Sequence, residues 1–402
     1  MQLDFYLSEM AVSDVTGGGL TLLRILGDDV DGIQLFAQIH PYGHLEGADR
    51  PDSPAEMVRT RCLDLPPMWM TTPPARRLLG CRTAYWLAQR PVLRRWHARG
   101  VAARIAARLP DDSRPLCGLV CPQHAASLYV LERLRGIRHI EYVTWVMDDH
   151  LVRWRDGAWC YPPHIEKLFA RHLRNAHAVF VISPVMADLY HKRFGVESRV
   201  LFSPADPPSQ SSPLPQADGG PLRLAYFGAV DSWQIDALTL VSDNLSPPAS
   251  LEIFTGLTEL PEPLRRDTVR LKGRIPADQV MATMRQYHAV VLPISFSPDQ
   301  RNMSELNIAT KMSECLASGT VTLAVGPPYA AMIRYLQQHS AAICVTQPSA
   351  DAMGDAFATL GDPQQRAVIA TNARTLARQH LSTAAMRAVW QEGAAQLGAT
   401  AR

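Results

Sequence analysis

At 402 residues, 47% hydrophobic and 19% charged, the chain is neither disordered nor fibrous, and it is too long for one ordinary core. Two domains of roughly 150–200 residues are expected. A formal charge of +2 gives a nucleic-acid partner no general support, and seven scattered cysteines make no disulfide framework and fit a reducing compartment. MQLDFYLSEM lacks the basic and apolar regions of a signal peptide, and no window approaches the ~18 uncharged apolar residues of a spanning helix. The expectation is a cytoplasmic protein whose membrane contact, where it exists, is peripheral.

In the first half, short apolar runs read as buried strands: LDFYLS (3–8), IQLFAQI (33–39), LCGLVC (116–121), IEYVTWVM (140–147), HAVFVIS (177–183) and SRVLF (198–202), with helices between them. After the first run come Gly17, Gly18 and Gly19. A dinucleotide fingerprint would need a third glycine where Leu22 stands, and GIQLFAQ ends without an acid for a ribose. The glycines therefore mark either a tight strand-to-helix turn or a close approach of backbone to a ligand.

Residues 75–109 hold nine arginines and no acid, so the basic charge is concentrated in one stretch. Pro91 is expected to separate two helices there. In the second, Val92, Leu93, Trp96, Val101 and Ile105 form the apolar side, and Arg94, Arg95, Arg99, Arg104 and Arg108 the polar side. CGLVCPQH (117–124) invites a zinc reading, but Cys117 and Cys121 share one face of a strand and no second ligand pair has finger-like spacing. Buried inert thiols are the expectation. WVMDDHLVRW (145–154) ends a strand with Asp148, Asp149 and His150, where aspartates commonly cap a loop by bonding backbone N–H groups.

SPADPPSQSSPLPQADGGP (203–221) is almost free of large apolar residues and reads as a linker. Beyond it, LRLAYFGAV (222–230), LEIFTG (251–256), VRLKGR (269–274), AVVLPI (289–294), VTLAV (321–325) and AAICV (341–345) alternate with amphipathic stretches such as 277–286 and 329–338. This alternation implies parallel sheets with helices on both faces, and ligands beyond the carboxyl ends of the strands. ATKMSECLASG (309–319) lies after such an end. Ile308, Met312, Cys315 and Leu316 make a buried stripe, Gly319 ends the helix, and Lys311 and Glu314 lie on the other face. These two are either a solvated ion pair worth a few tenths of a kcal/mol or, at a helix amino terminus, a grip on diphosphate and ribose.

The stretch LPISFSPDQRNMSELNIATKMSECLASGTVTLAVGPP resembles the signature region of family-four, retaining glycosyltransferases of the GT-B fold. AYFGAVDSWQIDAL (225–238), AHAVFVISPVMADLYHKRFG (176–195) and GGGLTLLRIL (17–26) resemble, in the family's order, the first donor-domain strand and loop, the last acceptor-domain elements and the glycine-rich first loop. The resemblance implies two Rossmann-like, doubly wound α/β domains facing a central cleft. Residues 1–203 would hold the acceptor, 204–221 the linker and 222–380 the nucleotide-sugar donor, with a helix in 381–402 packing back toward the first domain. It implies Lys311 at the donor diphosphate and Glu314 at the ribose, with Gly228, Ile308 and Ala309 beside the donor. Two departures stand out. The family's first glutamate is replaced by Leu306, with Glu305 one step off, and GAVDSWQ lacks the usual basic pair, so Arg274 or Arg301 takes the phosphate charge.

A resembling branch carries an aspartate pair where Asp148 and Asp149 stand, so one of them is expected in catalysis or acceptor orientation, ahead of His150. The Lys…Glu signature argues against a metal-binding role for the pair, and neither metal nor cofactor is implied. The expected activity moves a hexosyl group from a nucleotide diphosphate-sugar to a sugar or lipid-linked acceptor, with retention, in bacterial surface polysaccharide or glycolipid synthesis. The alternatives are a non-catalytic sugar-nucleotide-binding subunit and an epimerase of the same fold. Because acceptors in this family are often lipid-linked, residues 75–109 are read as facing an anionic membrane in preference to nucleic acid or bulk solvent.

Overall fold

The computed structural model describes residues 3–10, 12, 17–39, 62–65, 91–111, 114–208, 220–395 and 397. The chain forms two compact units, Met1–Leu201 with Arg387–Arg402, and Phe202–Met386.

The first unit is built on seven parallel strands, β1 (Phe5–Ser8), β2 (Leu35–Ile39), β3 (Cys62–Leu65), β4 (Leu116–Cys121), β5 (Ile140–Val146), β8 (Val179–Val181) and β9 (Arg199–Val200), in the order β3-β2-β1-β4-β5-β8-β9. Strands β1, β2, β4 and β5 are buried along their whole length. Their runs are nearly continuous and apolar because a parallel sheet is covered on both faces. The covering helices are α1 (Gly17–Leu26), α2 (Pro91–Ala106), α3 (Ala125–Leu134), α4 (Pro163–Asn175) and α5 (Pro184–Phe194). Helix α4 shows the rule plainly: Ile165, Leu168, Phe169, His172 and Leu173 form its buried stripe. A separate hairpin, β6 (Arg153–Arg155) and β7 (Ala158–Cys160), turns at Asp156-Gly157, both with positive φ (49° and 80°), as a primed turn demands.

In α2, Val101 and Ile105 are 5% and 0% exposed and join the core, whereas Val92 and Trp96 stay 75% and 68% exposed. The apolar side expected of this helix is thus divided between core and solvent. The helix expected before Pro91, and the rest of 75–90, lie outside the described residues.

The second unit has six parallel strands, β10 (Arg223–Phe227), β11 (Ser250–Phe254), β12 (Val269–Leu271), β13 (Ala289–Pro293), β14 (Val321–Val325) and β15 (Ile343–Val345), in the order β12-β11-β10-β13-β14-β15. Around them pack α6 (Ile235–Asp243), α7 (Val280–Met284), α8 (Arg301–Leu306), α9 (Lys311–Ser318), α10 (Ala331–Gln338), α11 (Ala350–Gly361) and α12 (Pro363–Leu376). Most of the stretch read as a linker is outside the described residues. In its described first residues, Ala205 N–H donates to Leu381 O (2.9 Å) within this unit. Helix α13 (Thr383–Ala394) begins in the second unit and from Arg387 belongs to the first, where Trp390 packs on Phe180 with centroids 5.1 Å apart.

Strand order reverses beside the first strand of each sheet, between β1 and β4 and between β10 and β13. In open parallel sheets the carboxyl ends of such strands are where ligands bind.

Candidate functional site

In the second unit, β10 runs into Gly228, whose N–H donates to Phe254 O (3.0 Å). A Cβ at Gly228 would stand 2.8 Å from Tyr226 Oη, whose hydroxyl donates to Ala229 O, so only glycine fits this close turn. After β11, the Arg274 guanidinium lies across Gly256, with Nη2 3.3 Å from the position a Cβ would take.

The chain after β13 is folded into a 3-10 turn (Pro298–Gln300) and α8. The reason is a set of polar pins. Asp236, in the first turn of α6, accepts from Ser295 Oγ (2.9 Å) and Phe296 N (2.8 Å), and Ser304 Oγ donates to Ser295 O (2.8 Å). Buried polar groups satisfied in this way fix one path for the chain.

That path delivers α9. Lys311 Nζ lies 2.5 Å from Glu314 Oε2, and Glu314 is only 3% exposed. The solvated surface pair is therefore excluded: this carboxylate has left water and needs a charged partner. Ile308, Met312, Cys315 and Leu316 are buried, and Gly319 closes the helix at φ +76°. Ala309 O accepts from Met312 N (2.9 Å), so Ile308 and Ala309 form the step into the helix.

Of the two arginines weighed for phosphate, Arg301 is engaged, with Nε 2.5 Å from Glu305 Oε2 and its guanidinium 4.3 Å over the Tyr329 ring. Arg274 is exposed and forms no ion pair among the described residues. Leu306 is fully buried, and Glu305 accepts from Arg301 Nε.

In the first unit, the three glycines are not a loop. They make the first turn of α1, and a Cβ at Gly18 would meet Met10 Sδ at 2.2 Å and Met147 Sδ at 3.6 Å. Their smallness lets the helix close onto residues that follow β1 and β5. Glu9, 4% exposed, accepts from Gln123 N (3.1 Å) and Ser127 N (2.7 Å) and so caps α3.

The two aspartates after β5 separate cleanly. Asp149 is 2% exposed; its Oδ1 accepts from Leu151 N (3.0 Å) and Val152 N (3.1 Å), and its Oδ2 from Tyr161 Oη (2.6 Å) and Tyr190 Oη (2.9 Å). It is a cap and anchor, held by α5 and by the residue that follows β7. Asp148 is half-buried, and burial followed by the charge of Asp149 pushes its carboxyl up to about 6. A carboxyl poised there can exchange a proton near neutrality.

Beside it, the His150 ring stacks on His124, with centroids 4.9 Å apart and planes at 20°. Sequence reading passed over His124 except as a weak zinc ligand, because its partner is distant in sequence. Cys117 and Cys121 are buried in β4, and no group of three or more His, Cys, Asp or Glu among the described residues is placed to hold a metal ion.

No protein-family model and no curated protein matches the sequence. Solved structures do. The chain is similar to a sucrose-phosphate synthase from Thermosynechococcus elongatus, with a TM-score of 0.65 at 14% identity over 99% of this chain and 100% of that one. It is similar to Anabaena HepE, solved in complex with UDP-glucose, with a TM-score of 0.62 at 14% identity over 99% of this chain and 100% of that one. A Rickettsia africae glycosyltransferase gives 0.62 at 11% identity, over 98% of this chain and 100% of that one. At such identities the likeness defines the fold, and the fold is GT-B.

Proposed function

We propose that the chain is a glycosyltransferase that moves a hexosyl group from a nucleotide diphosphate-sugar to an acceptor hydroxyl, with retention, in surface polysaccharide or glycolipid synthesis. The observation that carries this reading is the buried Glu314 clasped by Lys311 at the start of α9, beyond the carboxyl end of β13. A donor placed there meets a carboxylate that accepts from ribose hydroxyls, a lysine for the diphosphate and the amino terminus of α9. Arg274, with no ion pair of its own among the described residues, adds the second positive charge that the departing diphosphate requires. Gly228 supplies the close backbone turn beside it, and Ile308 and Ala309 set the angle at which α9 arrives.

The first unit would hold the acceptor. Asp148 orients the acceptor hydroxyl and takes part in proton transfer, while Asp149 positions it through the Tyr161 and Tyr190 bonds. The glycines of α1 serve packing in this reading. The fold is shared by HepE, solved with UDP-glucose, which supports a nucleotide-sugar donor for this chain. A thermal-shift screen against nucleotide sugars tests the reading, because a ligand of the native state stabilises it by mass action. Stabilisation by one nucleotide sugar, lost in Lys311→Ala, is the expected result; indifference to all of them overturns it.

No described helix is long and apolar enough to cross a membrane. The exposed Val92 and Trp96 of α2, with exposed Arg95 and Arg99, support peripheral binding to an anionic bilayer, and so a lipid-linked acceptor used on the cytoplasmic face.

A further inference from the structure

We propose that His339 and His380 together bind a divalent transition-metal ion of the zinc or nickel class. The ion staples the carboxyl end of α10 to the turn that follows α12, within the second unit. It takes no part in the proposed sugar transfer, and the site stands or falls independently of that reading.

The two residues are distant in sequence and are delivered by pinned backbone. His339 stands at the carboxyl end of α10, and Ser340 after it takes a left-handed conformation (φ +49°) that stops the helix sharply. Ser340 O accepts from Asn372 Nδ2 of α12 (3.1 Å), which ties this corner to α12. Helix α12 then runs into a single π-helical turn, Ala377–Leu381, that carries His380. Such a turn holds more residues than an α-helical one and re-aims the side chains on it. Its last carbonyl, Leu381 O, accepts from Ala205 N (2.9 Å). Each histidine therefore neighbours a carbonyl fixed by a hydrogen bond from another segment.

The ring centroids are 6.2 Å apart, with the planes tilted by 40°. Metal–nitrogen bonds of about 2.0–2.1 Å put the centres of two imidazoles sharing one ion roughly 5–6.5 Å apart, depending on the angle at the metal. The observed spacing lies inside that window before any side chain moves. Neither ring has a hydrogen-bond or ion-pair partner among the described residues, so the ring nitrogens are open to a ligand. His339 is half-buried against the Tyr335 ring, with centroids 4.8 Å apart, and His380 is exposed. One ligand is thus held in place while the other leaves an entry path from solvent.

The chemistry of the pair selects the ion. Neutral imidazole suits zinc, nickel and copper, whereas magnesium and calcium take oxygen ligands. Burial, followed by the charge of His380, lowers the His339 imidazole below its ordinary value, so this ring offers a lone pair at neutral pH. The carboxyl end of α10 adds the negative end of a helix dipole, which favours a cation. The charged side chains on the same two elements, Arg334 and Arg378, are exposed and can lie in solvent away from the ion. With two protein ligands, water fills the remaining coordination positions. Without a metal, the same rings are only the end of an aromatic ladder that runs from Phe202 through Tyr335.

The test adds zinc chloride or nickel chloride to the full untagged chain at about pH 7.5, where neutral imidazole prevails, and follows melting temperature and calorimetric heat. At least one of the two ions should bind and raise the melting temperature as its concentration grows. EDTA should reverse the rise, and magnesium chloride should produce none. His339→Asn and His380→Asn should each weaken binding by about tenfold or more, the cost of losing even a residue that only orients a metal ligand. Because His380 is exposed, His380→Asn tests the site without disturbing the core, should His339→Asn fail to fold. No binding of either ion, or unchanged affinity in His380→Asn, overturns the site. UDP titrated separately into wild type tests the donor reading, and its failure would leave the metal result standing.

Discussion

At the carboxyl end of the second sheet, charge is paired inside the protein: Lys311 with Glu314, Arg301 with Glu305, and Asp236 with the Ser295–Phe296 turn. The carboxyl end of the first sheet is built differently. Asp149 and Glu9 are saturated by backbone and tyrosine donors, while Asp148 and the His124 and His150 imidazoles are held away from their ordinary protonation by burial and by like charge. Two sheets of the same grammar thus present a pre-paired ion site and a proton-poised site. Under the proposed function, a donor would gain from the first, with Lys311 already localised at the start of α9. Proton exchange with an acceptor hydroxyl would gain from the second.

The comparison breaks most visibly at Asp148. Asp148→Asn should lower turnover by about 10²-fold or more, as loss of a positioned acid/base does. The pH–rate profile of wild type should lose activity as pH falls through about 6, and the residual activity of the variant should lack that limb. Stability should move the other way. A carboxyl whose folded pKa stands above its unfolded value binds its proton more tightly in the fold, so the native state loses stability as pH rises from about 4 to about 6. Asp148→Asn removes that loss and should stabilise the protein by about 1–2 kcal/mol at pH 8 and by nothing at pH 4. Unchanged turnover with a raised melting temperature would leave Asp148 a strained residue without a chemical role.

Asp149→Asn probes the saturated neighbour. Its loss leaves Tyr161 and Tyr190 short of a charged acceptor and should cost about 2–4 kcal/mol of stability by denaturant titration. A variant as stable as wild type would show that the tyrosine network carries no weight.

At the second site, Lys311→Ala should raise the dissociation constant for UDP-type probes by an amount worth about 1.5–3 kcal/mol. It should also lower the melting temperature, because Glu314 at 3% exposure is left with less compensation. Glu314→Gln removes the buried charge and should weaken the nucleotide while sparing the fold. Full nucleotide affinity in both variants would reduce the pair to a structural clasp.

What the sequence disclosed follows the range of the forces involved. Continuous apolar runs announced β4, β5, β10, β13 and β14, because a strand covered on both faces needs no distant information. The strand CLDL (β3) and the hairpin RWRDGAWC were passed over. One is four residues with an acid inside; the other is a short, largely exposed ribbon of three residues a side, although its Asp-Gly turn was a usable signal. Helical periodicity put Glu314 on a solvent face, since a charged residue counts as polar until the loop that covers it is known. Asp148 and Asp149 were equivalent in sequence because the hydroxyls that separate them come from 12 and 41 residues beyond Asp149. The three glycines were read as a loop, and it took Met10 and Met147 to show a helix that needed room.

The smallest expected effect concerns α2, which serves the first unit on two sides. Val101 and Ile105 hold it to the core, Arg94 acts on His124, and Val92, Arg95, Trp96 and Arg99 remain exposed. An exposed tryptophan among arginines suits the headgroup layer of an anionic bilayer, where each basic residue adds about 1 kcal/mol, screened by salt. The protein should therefore sediment with phosphatidylglycerol-containing vesicles at low salt, ignore neutral ones, and dissociate as salt rises. Arg95→Gln with Arg99→Gln should remove about 2 kcal/mol of that binding. It should leave melting temperature and nucleotide affinity intact, because neither residue supports the core or the second sheet. Equal sedimentation with anionic and neutral vesicles would assign α2 a solvated face and make a soluble acceptor the better account of the first unit.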